Sequence, residues 1–368
     1  MLSLNEEQQR AVLSTSKHTI LIAGAGSGKT RVIVARIHRL LNEGCCPKDI
    51  LAITFTRKAA QEMKQRLKQV DVYVQTFHQF CYGTLSQAKV EKIDVSTTNP
   101  AFSSTELLAF SVYKNSCFST KKPKKYDTYQ KELKQANQLD YEDLMLEMIK
   151  HLKDNPKMYT FKHIFVDEFQ DTNVLQYELL KLLCNNETCT YVVGDPDQSI
   201  YGFRGAHMNI ISQYQKAFHA KMMTLTYNYR SQKEIVRVAN RLIGFNHNRI
   251  KKQLVAVSNQ VQKVYFKHCM TRQQECMFVI DYIKKQLSVF NGSDIAILFR
   301  HHHRAFDLML NLIEAEISFQ KDEDEVKRHA VQLLSMHQAK GLEFEVVLIL
   351  GVEGQTIPDL KNHQYHAL

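Results

Sequence analysis

A glycine-rich segment near the amino terminus carries the residue types that bind phosphate. The apolar run 19–23 is followed by Gly-Ala-Gly-Ser-Gly-Lys-Thr over residues 24–30. Residues 23–30 have the pattern of a P-loop, G-x-x-x-x-G-K-[ST], with Ala23 at its first position. Glycines let backbone N–H groups converge on phosphate oxygens, and the amino terminus of the following helix favours negative charge there. Lys29 would then reach the β- and γ-phosphates of a nucleotide, and Thr30 a magnesium ion. The alternative is a glycine turn in a generic α/β unit.

A second chemical signal is a pair of acids at the end of an apolar strand. Residues 163–166 are His-Ile-Phe-Val, and Asp167 and Glu168 follow directly. One carboxylate at such a position can hold Mg²⁺, usually through water, while its neighbour takes a proton from the attacking water molecule. Paired acids after a strand are also common as surface charge. Because a P-loop precedes them in the same domain, we expect the catalytic arrangement.

The elements that must position these residues alternate between strands and helices. Strands are expected at 19–23, 50–54, 72–76, 163–166 and 189–193, and an amphipathic helix at 57–68. This alternation predicts a parallel sheet. The last of these strands leads into a glycine-containing loop with Gln198 and Arg204, which is typical of a nucleotide sensor.

Two further regions follow from the same patterns. Residues 86–160 are expected to form a mostly helical insertion, and its stretch 114–134 has seven lysines against two acids. A solvated surface and contact with a DNA backbone explain these lysines equally well. A second α/β unit is expected after about residue 220. Its predicted elements are strands at 222–226, 263–267, 294–299, 331–335 and 345–350, and a helix over 231–243 capped by Ser231.

Composition limits the class of protein. The 368 residues are 44% hydrophobic and carry a formal net charge of +10, which suggests a polyanionic partner but equally fits a solvated basic surface. We expect a cytoplasmic protein, because no apolar run is long enough to cross a bilayer and the first residues lack a signal peptide's pattern. The eight cysteines include no Cys-x-x-Cys pair, so reduced thiols are expected. Nothing near His301, His302 and His303 completes a metal-ligand set.

The motifs together closely resemble those of superfamily-one helicases of the UvrD, Rep and PcrA type, over nearly the whole chain. The matching segments begin with Leu4-Asn-x-x-Gln8 and include the P-loop, the acid pair, Asn228-Tyr-Arg-Ser231 and residues 331–344. The resemblance implies a P-loop NTPase of the α/β class with two RecA-like, parallel-sheet lobes. It gives the following divisions: a first lobe of residues 1–85 and 161–220, a helical, lysine-rich insertion of residues 86–160, and a second lobe of residues 221–368.

The resemblance also implies which residues bind ATP and Mg²⁺. Glu168 would be the general base, Asp167 and Thr30 would hold magnesium, and Gln198 would sense the γ-phosphate. Arg230 would reach the γ-phosphate, and Tyr229 would stack on adenine. The remaining nucleotide contacts implied are Gln8 at the adenine edge, Ala25, Gly26, Ser27, Gly28, Lys29 and Arg31 around the phosphates, and Glu343.

Single-stranded DNA is the second ligand that the resemblance implies. The implied DNA contacts are Thr54, Phe55, Thr76, His78, Tyr201, Phe203, Arg204 and His337. The family usually has tryptophan where this chain has Phe203. A phenyl ring still offers a stacking face, so weaker stacking is expected there.

The expected activity is that of an ATP-dependent DNA translocase or helicase in DNA repair, moving three-prime to five-prime on single strands and acting at duplex junctions. Two departures from the family pattern qualify this expectation: a short connection, 319–328, replaces a large insertion domain, and no motif VI arginine precedes Leu368. The chain alone is therefore expected to be a weak ATPase. The alternative is a nucleotide-gated DNA-binding subunit whose ATPase site a protein partner completes. A P-loop kinase or GTPase would explain neither Gln8 nor the DNA-facing motifs.

Overall fold

A computed structural model describes residues 4–68, 70–88, 94–96, 98–156, 159–202, 205, 209–246, 249–260, 263–321 and 327–353. The chain divides into two compact units, Met1–Val264 and Tyr265–Leu368. No helix in these ranges has the length and apolar character needed to cross a membrane.

The helices and strands of the first unit are, in chain order, α1 (Glu6–Leu13), β1 (His18–Ala23), α2 (Lys29–Asn42), β2 (Ile50–Thr54), α3 (Arg57–Arg66), β3 (Tyr73–Thr76), α4 (Phe77–Ala88), β4 (Asp94–Val95), α5 (Ser104–Asn115), α6 (Tyr126–Gln135), β5 (Gln138–Leu139), α7 (Tyr141–Asp154), β6 (His163–Val166), α8 (Val174–Leu183), β7 (Cys189–Gly194), α9 (Ile210–Phe218), β8 (Lys221–Leu225), β9 (Tyr227–Asn228), α10 (Lys233–Ile243) and β10 (Val255–Ala256). Those of the second unit are α11 (Arg272–Gln286), β11 (Ile295–Phe299), α12 (His303–Glu314), β12 (Phe319–Gln320), β13 (Val331–Ser335) and β14 (Val346–Ile349).

The main sheet of the first unit is parallel. Within the described ranges it has six strands in the order β3-β2-β6-β7-β1-β8. All carboxyl ends of the strands therefore meet at one edge, where ligands bind in open α/β sheets. The predicted α/β class with parallel strands is confirmed.

Both faces of this sheet are covered by helices, which explains why its strands are apolar throughout. Ile20 and Ile22 of β1 face one apolar cluster, which includes residues of α4, α7, α8 and α9. Leu21 and Ala23 face the other, built with α1, α2 and α3. The P-loop and the acid pair thus project from a rigid, fully buried support.

The insertion has its own small core. Within it, α5 and α6 pack through the aromatic residues Phe102, Phe110, Tyr126 and Tyr129, while α7 also joins the core of the main sheet. Lys114 is completely buried, and its Nζ lies 2.5 Å from Asp140 Oδ2 and 2.7 Å from Asp143 Oδ1. This lysine of the basic stretch 114–134 is therefore an internal structural residue.

The second unit is a smaller parallel α/β arrangement. Its described strands are ordered β12-β13-β11-β14. Residues of α11 and α12 pack with those of β11 and β13 in one apolar cluster. In the part of the chain that the structure describes, no group of three or more His, Cys, Asp or Glu side chains is arranged to hold a metal.

Three details differ from the sequence-based expectations. The strand expected to open the second unit, observed as β8, pairs with β1 in the main sheet, and the first unit extends to Val264. The helix expected from Ser231 begins at Lys233, with Gln232 at its N-cap position and no side-chain cap. Residues 263–267 form no strand, and three of their apolar side chains are exposed, so they lack the packing that favours an extended pair.

Candidate nucleotide-binding and DNA-binding site

The P-loop joins β1 to α2 at the carboxyl edge of the main sheet. Gly28 is the N-cap residue of α2 and has a φ of +83°, a left-handed conformation that glycine adopts without steric cost. Ser27 is buried, and its hydroxyl donates to the Gly24 carbonyl at 2.7 Å. Lys29 and Thr30 follow in the first turn of α2. Their position at a helix amino terminus suits a phosphate group.

A segment distant in sequence, 228–230, docks directly on this loop. The Asn228 side-chain amide donates to the Ala25 carbonyl at 2.7 Å, and the Tyr229 backbone N–H donates to the Gly26 carbonyl at 2.8 Å. The Asn228 Oδ1 atom also accepts from the Arg230 backbone N–H at 3.0 Å. Arg230, which was expected in a second lobe, therefore lies in the same compact unit as the P-loop.

The acid pair faces the P-loop lysine. Lys29 Nζ lies 2.8 Å from Glu168 Oε1. Burial alone would lower the pKa of the Lys29 ammonium, but the nearby Glu168 and Asp167 carboxylates raise the pKa above its ordinary value. Burial, and then repulsion from Glu168, raises the pKa of Asp167 to about 7. The site thus holds two adjacent carboxyl groups, and the positive charge of Lys29 partly balances their negative charge.

These acids form a suitable donor set for magnesium. Mg²⁺ prefers hard oxygen ligands, and a protein usually supplies one or two carboxylates while water and substrate phosphates complete the octahedron. Asp167 is buried. Among the hydrogen bonds described, its Oδ1 accepts one, from the Glu168 backbone N–H at 2.9 Å. A divalent cation would relieve the repulsion between the two carboxylates. Asp167 and the Thr30 hydroxyl would hold it.

Gln170 is a site residue that the sequence reasoning did not assign. Its side chain is almost fully buried, and its Nε2 donates to Glu168 Oε2 at 2.6 Å. Its Oε1 accepts from the Asp195 backbone N–H at 2.8 Å. Gln170 therefore links the predicted general base to the end of β7. A glutamine two residues after the acid pair was the available signal in the sequence.

Gln198, the predicted γ-phosphate sensor, lies in the loop after β7. Its Nε2 donates to Asp195 Oδ2 at 2.6 Å. Asp195 is itself almost fully buried. Asp195 and Asp167 both follow central strands, β7 and β6, at the same edge of the sheet. The structure therefore brings Lys29, Glu168 and Gln198 to one edge through short hydrogen bonds.

Of the two expected adenine contacts, Gln8 lies at the start of α1 and Tyr229 directly follows β9. Gln8 and Asn5 form a reciprocal capping box, and Gln8 Nε2 also donates to the Ser27 carbonyl at 2.9 Å. Gln8 is thus buried and bonded within the protein, and its contact with adenine stays a prediction. Tyr229 is half exposed, and its hydroxyl accepts from Asn5 Nδ2 at 2.6 Å. Because Asn5 is also bonded to Gln8 in the capping box, it links the two predicted adenine contacts, Gln8 and Tyr229.

Two predicted DNA contacts stack on each other. Phe55 follows β2 and Tyr201 lies in the loop after β7, and their ring centroids are 5.3 Å apart with an interplanar angle of 18°. Both rings are partly exposed. Since β2 and β7 end at the same edge, these aromatic faces lie beside the nucleotide residues. A base could stack on either ring.

The other predicted DNA contacts of the first unit have mainly local bonds. The Thr54 hydroxyl donates to the Thr56 carbonyl at 3.0 Å, and the Thr76 hydroxyl accepts from the Gln79 backbone N–H at 3.2 Å. The His78 ring packs on Tyr141 of the insertion, with centroids 4.8 Å apart. Burial, and then the charge of Arg57, lowers the pKa of His78 to about 4. His78 is therefore neutral at physiological pH and would meet DNA by hydrogen bonding or stacking.

Some predicted site residues fall elsewhere. Phe203 and Arg204 lie outside the described residues. Arg31 lies in the first turn of α2, beside the predicted phosphate contacts. His337 and Glu343 belong to the second unit, between β13 and β14, and their roles stay predictions.

Two family profiles together match almost the whole chain. The profile of the UvrD/REP helicase N-terminal domain matches residues 4–106 and 89–219. The profile of the UvrD-like helicase C-terminal domain matches residues 223–325 and 309–368. The chain belongs to the UvrD/REP helicase family. The P-loop, the acid pair and the Gln198 loop all lie within the first match.

Individual relatives in this family differ in length from the chain. A probable DNA helicase from Mycoplasma pneumoniae is 32% identical over 98% of this chain and 78% of its own length. A probable DNA helicase II homolog from Mycoplasma capricolum is 32% identical over 86% of this chain and 51% of its own length. The ATP-dependent DNA helicase PcrA of Staphylococcus aureus is 34% identical over 81% of this chain and 48% of its own length. The chain thus spans about half the length of the latter two UvrD/REP relatives.

Proposed function

We propose that this chain is an ATP-dependent motor on single-stranded DNA, a translocase or helicase that couples ATP hydrolysis to movement. One observation carries the proposal. A single loop after β7 holds both Gln198, bonded toward the acid pair through Asp195, and Tyr201, stacked on Phe55. Nucleotide chemistry and DNA contact are therefore linked by a few residues of backbone. The three-prime to five-prime direction and action at duplex junctions rest on family membership.

The proposed chemistry assigns a separate task to each charged group. Lys29 would leave its ion pair with Glu168 to bind the β- and γ-phosphates. Glu168, still held by Gln170 through its Oε2 atom, would then be free to take a proton from the attacking water. Arg230 would stabilise the charge that develops on the γ-phosphate. Mg²⁺, when bound, supplies positive charge to the phosphate oxygens.

Movement on DNA requires that nucleotide states differ in their DNA contacts. A ligand shifts a conformational equilibrium only by its differential affinity for the two states. The γ-phosphate is what distinguishes ATP from ADP, and Gln198 is the residue proposed to bind it. A displacement of Gln198 would be transmitted along the loop to Tyr201 and would change the gap between Tyr201 and Phe55. We propose this loop as the link between hydrolysis and base stacking.

The test is ATP hydrolysis by the purified chain with and without a single-stranded oligonucleotide. We expect the oligonucleotide to stimulate turnover. A fluorophore at the five-prime end should report arrival of the protein, whereas one at the three-prime end should report only its departure. The alternative, a nucleotide-gated DNA-binding subunit completed by a protein partner, predicts ATP-dependent changes in DNA affinity with almost no phosphate release. Turnover that is insensitive to DNA would contradict both.

The aromatic pair gives a separate prediction. Replacing Tyr201 by alanine should lower single-strand affinity by about 1–3 kcal/mol, which is roughly 5- to 150-fold in Kd, because a stacking face is lost. Tyr201→Phe keeps the ring and should bind nearly as the wild type does. Fluorescence anisotropy with an oligothymidine measures both. Phe203 stays a predicted stacking residue of the same loop.

The matched control for this prediction is Tyr73→Ala. Tyr73 is also a partly exposed tyrosine, but it begins β3 and so lies at the opposite, amino edge of the sheet. We expect Tyr73→Ala to leave DNA affinity unchanged. A lower melting temperature with unchanged DNA binding in Tyr201→Ala would assign Tyr201 to the protein core and remove it from the DNA site.

A further inference from the structure

A short segment after α10 returns to the carboxyl edge of the main sheet and carries two buried cationic side chains. We call residues 249–254 the strap. Lys252 has a side chain only 2% exposed, and its Nζ lies 2.5 Å from Asp195 Oδ1 and also contacts Asp197. Arg249 binds Asp197 with two nitrogens, at 3.0 Å and 2.6 Å. The strap is therefore joined to the Gln198 loop by four charged groups that are nearly excluded from solvent.

Asp195 connects this ion network to the chemistry. The same carboxylate that binds Lys252 through Oδ1 accepts the Gln198 amide through Oδ2, at 2.6 Å. The Asp195 backbone N–H also donates to Gln170, which bonds to Glu168. Lys252 thus reaches the predicted sensor through one intervening residue and the predicted base through two.

The other end of the strap lies on the P-loop. A Cβ atom on Gly24 would come within 2.2 Å of Leu254 Cδ2, so the Leu254 side chain lies directly against the Gly24 backbone and any side chain at residue 24 would displace it. The Leu254 backbone is fixed by Asn240, whose side chain accepts from Leu254 N–H at 3.1 Å and donates to its carbonyl at 2.8 Å. The strap therefore touches both the P-loop and the loop that carries Gln198.

Such a network is a costly way to stabilise a fold. Removing charges from water carries a desolvation penalty that their mutual attraction often fails to exceed, and apolar residues of similar volume stabilise equally well. The geometry of a buried, hydrogen-bonded ion pair is, however, specific. This favours a role in setting where the Asp195 carboxylate, and with it the Gln198 amide, is held.

We propose that Lys252, supported by Arg249, is a positioning residue that fixes Gln198 relative to the P-loop. The proposal rests on the proposed function, because it treats Gln198 as the group that detects the γ-phosphate. Lys252 acts through Asp195 and contacts no substrate. Its loss leaves the P-loop and the acid pair in place but lets the Gln198 side chain take other orientations.

The central experiment is a double-mutant cycle between Lys252→Met and Gln198→Ala. Lys252→Met should lower the DNA-stimulated kcat by roughly 10- to 100-fold, the size of effect expected when a reacting group is misplaced by about an ångström. The KM for ATP should change by no more than about threefold, since P-loop contacts remain. In the Gln198→Ala background, Lys252→Met should have almost no further effect on kcat. Equal losses in both backgrounds would overturn the proposal.

A buried lysine variant also needs a control for stability. Lys114→Met removes another fully buried lysine with two carboxylate partners, Asp140 and Asp143, in the insertion. It should lower the melting temperature by a similar amount. Its effect on kcat should be the same factor in the wild-type background and in the Gln198→Ala background. The same non-additivity in Lys114→Met would mean general destabilisation and would overturn the proposal.

Two additional measurements keep the outcome decisive. If Lys252→Met does not fold, Lys252→Met with Asp197→Asn restores the charge balance and should show the same loss of kcat. The same double-mutant cycle can be measured without turnover, as the ratio of ATP affinity to ADP affinity from displacement of a fluorescent nucleotide. A wild-type chain that binds ATP but never hydrolyses it contradicts the proposed motor, whereas a wild-type ratio retained in Lys252→Met contradicts the role of the strap.

Discussion

Replacing Lys29 by alanine is expected to reduce ATP hydrolysis by on the order of 10³-fold or more while the fold remains intact. The Lys29 side chain is 13% exposed and is bound to Glu168, outside the apolar clusters of the main sheet. Because Glu168 and Asp167 raise its pKa, Lys29 is charged at neutral pH and available to phosphates. Phosphate release measures the activity, and circular dichroism measures the fold.

Lys17 offers a matched control for this substitution. It lies just before β1, is exposed, and donates to the Asn186 carbonyl at 2.5 Å, away from the acid pair. Lys17→Ala should hydrolyse ATP as the wild type does. Unchanged turnover in Lys29→Ala, or its failure to fold, would contradict the assignment of the P-loop.

Replacing Glu168 by glutamine should separate nucleotide binding from hydrolysis. General-base catalysis typically contributes 10²–10⁴-fold, and we expect turnover to fall by about this factor. The glutamine keeps the volume of the side chain and an oxygen that can accept from Gln170, so Mg·ATP affinity should remain within a few-fold. The variant should therefore accumulate as an ATP-bound, DNA-bound complex. Single-turnover phosphate release and fluorescent-nucleotide binding measure the two quantities separately.

Asp167→Asn provides the contrast. Asp167 is the buried acid that we propose holds magnesium, so asparagine at this position should weaken Mg²⁺-dependent nucleotide affinity as well as turnover. If Glu168→Gln also lost nucleotide affinity together with rate, then Glu168 would have a metal-binding or structural role. The two neighbouring acids would then not have separate tasks.

The parts of the site that the sequence predicts are those encoded by local pattern. An apolar strand, a glycine turn and a lysine at a helix start are consecutive in the chain, and Asp167 and Glu168 directly follow their strand. Short-range spacing is sufficient there, and the bounds of β13 also agree with the prediction. The capping of α1 by Asn5 is equally local, because an N-cap acts within a few residues.

Pairing between distant segments is what the sequence did not reveal. Periodicity predicts a strand at 222–226, observed as β8 (Lys221–Leu225), but contains no information on whether that strand pairs with β1 or opens another sheet. Lys252 lies in the basic stretch 249–252, which by composition alone would be placed on the surface. Its partners Asp195 and Asp197 are more than fifty residues earlier. Gln8 shows the same limit, since its bond to Ser27 becomes visible only in the folded chain.

The position of β1 has a consequence for synthesis of the protein. This strand is made almost first, yet its hydrogen-bonding partners on the two sides, β7 and β8, begin only at Cys189 and Lys221. A ribosome adding about 5–20 residues per second needs roughly 8–33 s for the stretch of roughly 165 residues between β1 and β7. During that time the Ile-Leu-Ile segment of β1 has two unpaired edges and is open to association with other chains. Chaperone demand during translation is thus set by strand order, independently of the stability of the finished fold.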